Sequence, residues 1–379
     1  MLEFVFHNPT KIVFGKDQTQ RIGEFIKEKR CLLLYGGGSI FKNQIYERVV
    51  ESLKNYGKEW IEKGGVKPNP VLSFVYETID LARKEKVECI LAVGGGSVID
   101  TAKAVALGYF YEGDVWDFFI KKVEIQKALP VYVILTLAAT GTEMNRYAVI
   151  TNEKTKQKFN IDSELVYPVV SILDPVNTYT VPKEQVAYGC VDAMLHLLEG
   201  YFTQTYPNTP IQDGFVETLV KVLMETTQKI FESPQDYDSR ANFMWATTLA
   251  LNGLTTAGIG SFGFPNHIIA HSLSAFYDLP HGETLAIVFP AWLKYKFSEK
   301  KDRISKFGEA IFKERDPEKV IEKLENFYTS IGVSVRLSQV KIPEEDIPAL
   351  AENAYGFAKI RNLENYTPQV IAEILKLAK

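Results

Sequence analysis

Cysteine is scarce: the 379-residue chain has three, Cys31, Cys89 and Cys190, odd in number and far apart. They form no CxxC pair and no metal-knuckle spacing, which excludes a disulfide framework and a thiolate metal site. They read as buried reduced thiols and place the protein in the cytoplasm. Long apolar runs are also missing. None approaches the roughly 18–20 residues that a membrane span requires. Glu3, His7 and Pro9 stand where a signal peptide would have its apolar core. Positive charge is not in excess: 43 Lys plus Arg face 47 Asp plus Glu, a net charge of −4. A nucleic-acid binder needs a basic face, so nucleic acid and membrane are both excluded as expected partners. No low-complexity segment and no repeat array is present.

What remains is an ordinary globular composition, 46% apolar and 24% charged, in a chain long enough for two domains. Residues 1–15 alternate around Asn8-Pro9 and predict two short strands and a turn. From about 21 to 180, buried-strand runs such as CLLLY (31–35), ECILAV (88–93) and ALPVYVIL (128–135) alternate with helical stretches, among them 40–57, 74–86 and 101–110. That alternation predicts an α/β half with a parallel sheet covered on both faces. After Pro182 the text turns helical: 185–203, 211–232, 237–254, 265–276, 283–299, 301–314 and 317–332. The expected division is therefore 1–182, Rossmann-like α/β, and 183–379, all-α.

Two glycine loops stand out, each after a strand and before a helix: YGGGSIF (35–41) and VGGGSVID (93–100). Glycine there lets the backbone approach a bulky anion and adopt positive φ. The helix that follows presents unpaired N–H groups to that anion. In the second loop Ser97 is a candidate helix cap and Asp100 lies in the first turn. Neither loop is GxGxxG or GxxxxGK[ST], which favours a dinucleotide over ATP. The first loop, Gly36-Gly37-Gly38-Ser39, carries no carboxylate after its strand. A free ribose 2′-OH is usually held by Asp or Glu there, so the loop favours NADP(H) over NAD. In LTLAATGTEMN (135–145), Thr136, Thr140 and Thr142 are candidates to hydrogen-bond ribose or carboxamide, or form a small-residue turn.

Only five histidines occur, and four of them, His196, His267, His271 and His281, lie in the helical half. Asp192 and His196 are spaced i, i+4 in GCVDAMLHLLEG, on one face of an apolar helix. His267 and His271 repeat that spacing in NHIIAHSLSAF, and His281 follows in LPHGE. A carboxylate among Ala, Met and Leu must be paired or ligating. One Asp and up to four imidazoles without thiolate suit Fe²⁺ or Zn²⁺. Residues 268 and 269 are both Ile, so this is not the HExxH of a zinc protease. His7 reads as a surface or interface residue.

The chain resembles the iron-containing (group III) alcohol dehydrogenases, within them the NADP-dependent butanol dehydrogenase and aldehyde reductase branch. The matching motifs are YGGGSIFKN, PNP (68–70), VGGGSVIDTAKA, TLAATGTEMN, ITNEKT, LDP (173–175), GCVDAMLHLLE and HIIAHSLSAFYDLPHG, spread over essentially the whole chain. The resemblance implies a dehydroquinate synthase-like fold: a Rossmann-like domain, an all-helical domain and an active site in the cleft between them. It implies Asp192, His196, His267 and His281 as metal ligands, with His271 close by and not a ligand. One turn from His267, His271 is a candidate either to relay a proton or to play a structural role. Gly37, Gly38 and Ser39 match the 2′-phosphate loop; Asn69, Gly95, Gly96, Ser97 and Asp100 match the pyrophosphate and ribose region; Thr136, Thr140 and Lys158 match the nicotinamide end. It further implies a small alcohol or aldehyde substrate and a homodimer. Leu137-Ala138-Ala139 departs from the Thr-Ala-Gly of many relatives, and Thr142 replaces Ser. Two rival readings are a zinc-dependent, NAD-linked polyol or glycerol dehydrogenase of the same fold and a metal-stabilised binding module without catalysis.

Overall fold

A computed structural model describes residues 1–379. Eight strands form: β1 (Lys11–Phe14), β2 (Arg30–Tyr35), β3 (Glu59–Lys63), β4 (Cys89–Gly94), β5 (Val131–Leu135), β6 (Tyr147–Asn152), β7 (Gln157–Asp162) and β8 (Val170–Leu173). Six make one parallel sheet in the order β1-β8-β5-β4-β2-β3, and β6 pairs with β7 as an antiparallel hairpin. β2, β4 and β5 are buried almost end to end, as the continuous apolar runs require of a sheet covered on both faces. Cys31 and Cys89 are register partners in β2 and β4, both free and buried.

Six helices belong with these strands in sequence: α1 (Ile22–Phe25), α2 (Ser39–Lys42), α3 (Ile45–Asn55), α4 (Leu72–Lys84), α5 (Gly96–Gly108) and α6 (Trp116–Phe119). Nine follow: α7 (Lys183–Thr203), α8 (Pro210–Glu232), α9 (Tyr237–Ala250), α10 (Pro265–Tyr277), α11 (His281–Tyr295), α12 (Phe297–Phe312), α13 (Pro317–Ser330), α14 (Ile347–Ile360) and α15 (Pro368–Lys376). No helix is long and apolar enough to cross a membrane.

The chain forms two compact units. One holds residues 7–181 and 232–252; the other holds 1–6, 182–231 and 253–379. Pro182 is thus a true passage between units, but a single division there misplaces two segments. Helix α9 counts with the sheet unit, where the Thr248 hydroxyl donates to buried Glu143 at 2.5 Å. Residues 1–6 count with the helical unit, where the Leu2 N–H donates to the Gly258 carbonyl at 3.0 Å.

The expected strand before Asn8-Pro9 does not form; only Lys11–Phe14 does. Pro9 offers no N–H to a ladder, and the Asn8 amide donates to the carbonyls of Met144 and Asn252 instead. The β6–β7 hairpin was not foreseen. β6, YAVITN, opens as an apolar run without alternation, and β7, QKFNID, alternates only over the five residues Lys158–Asp162, so the period is a weak signal.

Candidate metal and dinucleotide sites

Helix α7 is buried on nearly every side from Val186 to Phe202, so its polar residues declare themselves. Asp192, His196 and Glu199 lie at i, i+4 and i+7, one stripe along the helix. Helix α10 adds His267 and His271, both buried. Helix α11 begins at His281 with Pro280 before it. Its second residue, Gly282, lies against the Tyr188 backbone of α7 so closely that any Cβ would overlap the Tyr188 carbonyl. This glycine is required by close approach, and the approach brings His281 to Asp192.

The donor atoms converge on Asp192. Its Oδ1 is 3.6 Å from His196 Nε2, 3.8 Å from His267 Nε2 and 3.8 Å from His281 Nε2. The ligand atoms of Asp192, His267 and His281 all lie within 4.8 Å of one another. Donors around a tetrahedral ion with bonds near 2.1 Å stand about 3.4 Å apart, close to this spacing. The His196 and His267 rings stack at 4.7 Å. His271 sits just outside, its ring 5.0 Å from that of His281 and stacked on Phe357 at 5.5 Å and 9°.

Electrostatics match this arrangement. Burial pulls His196 down to about 4, against the pull of Asp192, so its ring is neutral and able to ligate. His267 is raised: burial lowers it, but Asp192 and Glu199 together outweigh that. Glu199 accepts from the His267 main-chain N–H at 2.9 Å and lies 3.2 Å from its Nδ1. Its other oxygen accepts from Asn266 Nδ2 at 3.0 Å. A proton shared on the Nδ1 side leaves Nε2 with its lone pair toward Asp192. That buried Nε2 makes no hydrogen bond within the protein, an observation that a bound cation would explain. The donor set, one carboxylate and imidazoles, fits Fe²⁺ or Zn²⁺. Sequence reasoning missed Glu199, although its place three residues after His196 on the same stripe carries the signal. Phe357, far along the chain, gives none.

In the sheet unit the two glycine loops leave the carboxyl ends of β2 and β4. Among their glycines only Gly38 adopts positive φ, at 97°. At Gly94 to Gly96 the cause is packing rather than backbone conformation. A Cβ on Gly94 would overlap Val98, on Gly95 would come 3.0 Å from Leu137 Cβ, and on Gly96 2.6 Å from Thr140 Cγ2. Gly37 differs: nothing lies within 4 Å of where its Cβ would be. Ser97 does not cap α5. The N-cap is Gly95, with no side-chain bond, so the first-turn amides carry no side-chain partner at that position.

The Thr136 N–H donates to the Gly94 carbonyl at 3.0 Å and joins the ends of β4 and β5. Thr140 thereby comes against Gly96. Asn69, in the left-handed region at φ 49°, accepts from Lys158 Nζ at 2.8 Å, so those two predicted residues meet. Gly37, Gly38 and Ser39 stand at the separate first loop. Asp100 is committed: Oδ1 accepts from the Thr142 hydroxyl at 2.7 Å and Oδ2 from the Val149 N–H at 3.0 Å. Thr142 is likewise turned inward. Burial pushes Asp100 up and pulls its neighbour Lys103 down, each opposed by the other's charge. Lys103 and Glu143, both fully buried, were missed because a Lys in VIDTAKA reads as a solvated helix face.

Residues 9–175 match the family described as iron-containing alcohol dehydrogenase, and residues 186–379 match the C-terminal domain of the Fe-containing alcohol dehydrogenase family. The chain belongs to the iron-containing alcohol dehydrogenase family. It is an alcohol dehydrogenase or aldehyde reductase, and the family implies iron and a nicotinamide cofactor. The crystal structure of an NADH-dependent butanol dehydrogenase A from Thermotoga maritima is 48% identical with a TM-score of 0.96, over 100% of this chain and 99% of that one. A probable NADH-dependent butanol dehydrogenase of Bacillus subtilis is 40% identical over 99% of both chains. The NADPH-dependent aldehyde reductase YqhD of Escherichia coli is 37% identical over 100% of both.

Proposed function

We propose that this chain is a metal-requiring, NADP(H)-linked enzyme that interconverts small primary alcohols and aldehydes of the butanol and butanal kind. The convergence of three imidazole nitrogens on Asp192 Oδ1 at 3.6–3.8 Å carries the reading. Asp192, His196, His267 and His281 would hold Fe²⁺, with Zn²⁺ as the other ion these donors accept. When bound, the cation supplies Lewis-acid polarisation of the alcohol or carbonyl oxygen, and the nicotinamide supplies the hydride.

The chain's own residues do the rest. Glu199 orients His267. His271, beside His281 and of a residue type that titrates near neutrality, moves the proton. The amides at the start of α5, from Gly95, Gly96 and Ser97, bind pyrophosphate. Thr136, Thr140, Asn69 and Lys158 orient the dinucleotide, with Asp100 holding that loop. Gly37 leaves open space, and with Gly38 and Ser39 it forms a loop without a carboxylate that takes a 2′-phosphate.

The names of the Thermotoga and Bacillus relatives favour a second reading, NADH as cofactor. One experiment separates them: anaerobic purification, metal analysis, then butanal reduction with NADPH and NADH in parallel. Higher kcat/KM with NADH overturns the NADP(H) assignment, and turnover by a fully metal-stripped enzyme overturns the metal.

We also infer a homodimer in the cytoplasm. Leu2, Phe4, Val5 and Phe6 are 43–96% exposed, a run of apolar surface that a second copy would cover. The three reduced cysteines suit a reducing compartment. Light scattering that returns a monomer mass refutes the dimer.

A further inference from the structure

Lys103, seven residues after Gly96 on α5 and fully buried, has no part in the proposed function. Five oxygens surround its Nζ: the carbonyls of Thr142, Tyr147 and Asn145 at 2.7, 2.8 and 2.9 Å, the Thr142 hydroxyl at 2.9 Å and Asn145 Oδ1 at 3.2 Å. All five act as acceptors. The Thr142 hydroxyl spends its proton on Asp100, and the Asn145 amide donates to the Gly141 carbonyl at 3.0 Å. A neutral amine would aim its lone pair at one of these oxygens, so only the ammonium form satisfies the cage. Asp100 and Glu143, both buried nearby, balance the charge.

A cage dominated by backbone carbonyls is the kind of environment that replaces the hydration shell of potassium, and ammonium and potassium are nearly equal in size. We infer that Lys103 is a tethered monovalent cation: its ammonium fills an oxygen cage suited to K⁺ or NH₄⁺ and so fixes the turn that presses Thr140 against the Gly95–Ser97 loop. Three observations connect cage and loop. Lys103 shares α5 with that loop. The cage oxygens come from residues 142–147, directly after Thr140, and the Thr142 N–H donates to Thr140 Oγ1 at 3.3 Å. Thr140 fills the space where a Cβ on Gly96 would stand. Lys103 is therefore a positioning residue; it acts on the dinucleotide through the turn. The inference rests on reading Gly95–Ser97 as dinucleotide contacts.

The test measures NADPH affinity by fluorescence, without added divalent metal, at fixed ionic strength in choline, lithium, potassium or ammonium chloride. Lys103→Ala opens the cage. It should weaken NADPH about tenfold or more in choline chloride, and potassium or ammonium should restore most of the loss while lithium does not. Its thermal midpoint should rise in the same two salts. Lys103→Met fills the space without charge and should bind weakly in every salt. Wild-type affinity of either variant in choline, or equal recovery of Lys103→Ala in all four salts, overturns the proposal. If Lys103→Ala does not fold in any salt, Lys103→Met decides: weak NADPH binding by a folded protein supports the role of charge, and wild-type binding refutes it. A wild-type protein that binds neither NADPH nor NADH would refute the dinucleotide reading instead, and the salt dependence of the Lys103→Ala midpoint would then decide the cage.

Discussion

Glu199 grips His267 twice, through the main-chain N–H at 2.9 Å and at ring Nδ1 at 3.2 Å. The carboxylate thus fixes both the start of α10 and the face of the imidazole that points at Asp192. Glu199→Gln keeps the shape but removes the charge. Metal affinity should fall about 10- to 100-fold, the range for partners of metal-bound histidines. Competition with a chelator measures it. Unchanged affinity would show that backbone packing alone sets the ring.

His281 supplies one of a small set of donors from the first residue of α11. In His281→Ala, metal content and turnover should fall together, turnover by about 100-fold or more given the several kcal/mol a Lewis acid supplies. Metal analysis beside initial rates checks the pairing. Full occupancy at the wild-type rate removes His281 from the ligand set.

His271 stacks on Phe357, beside His281 rather than within the Asp192 cluster. His271→Ala should keep its metal and lose rate, about 100-fold or more if the ring moves a proton, chiefly at lower pH in the reduction direction. If His271→Ala and His267→Ala lose metal equally, the division between ligand and relay is wrong.

Gly37 has open space around it and needs no left-handed backbone, so a side chain there strains nothing. Gly37→Asp places a carboxylate where a 2′-phosphate of roughly −1.5 to −2 charges would lie. Near a screened surface the repulsion should change relative preference about 10- to 100-fold toward NADH. kcat/KM for both cofactors, in wild type and variant, settles it; a ratio that does not move excludes this loop from cofactor choice.

The parts legible in the sequence were those with strong periodicity or rare residue types. β2, β4 and β5 announced themselves because a sheet covered on both faces tolerates only apolar runs. Asp192, His196, His267 and His281 did so because polar groups on otherwise apolar helices must be satisfied. The grouping of Asp192 with the histidines was legible through spacing, yet Glu199 was overlooked on the same stripe, since an acidic residue near a helix end reads as solvated. In the hairpin β6–β7 only the short run Lys158–Asp162 alternates, too little to mark a pair of strands. A second reason for Gly96 was not legible: its small size admits Thr140, a fact about a neighbour 44 positions away that no local pattern contains. Lys103 was hidden for the same reason, because its five acceptors belong to Thr142, Asn145 and Tyr147, about 40 residues downstream.

Helix α9 completes the sheet unit only after two long helices of the other unit have been made. On the ribosome, the first 182 residues emerge without the segment that carries Thr248, and buried Glu143 waits for its hydroxyl partner until residue 252 is free of the exit tunnel. The sheet unit therefore cannot close as an independent early product of synthesis, and its final closure is tied to the emergence of α7 and α8. Long sequence separation between such partners slows folding and prolongs the exposure of unfinished apolar surface. A chain cut at the apparent boundary would be released with that gap still open.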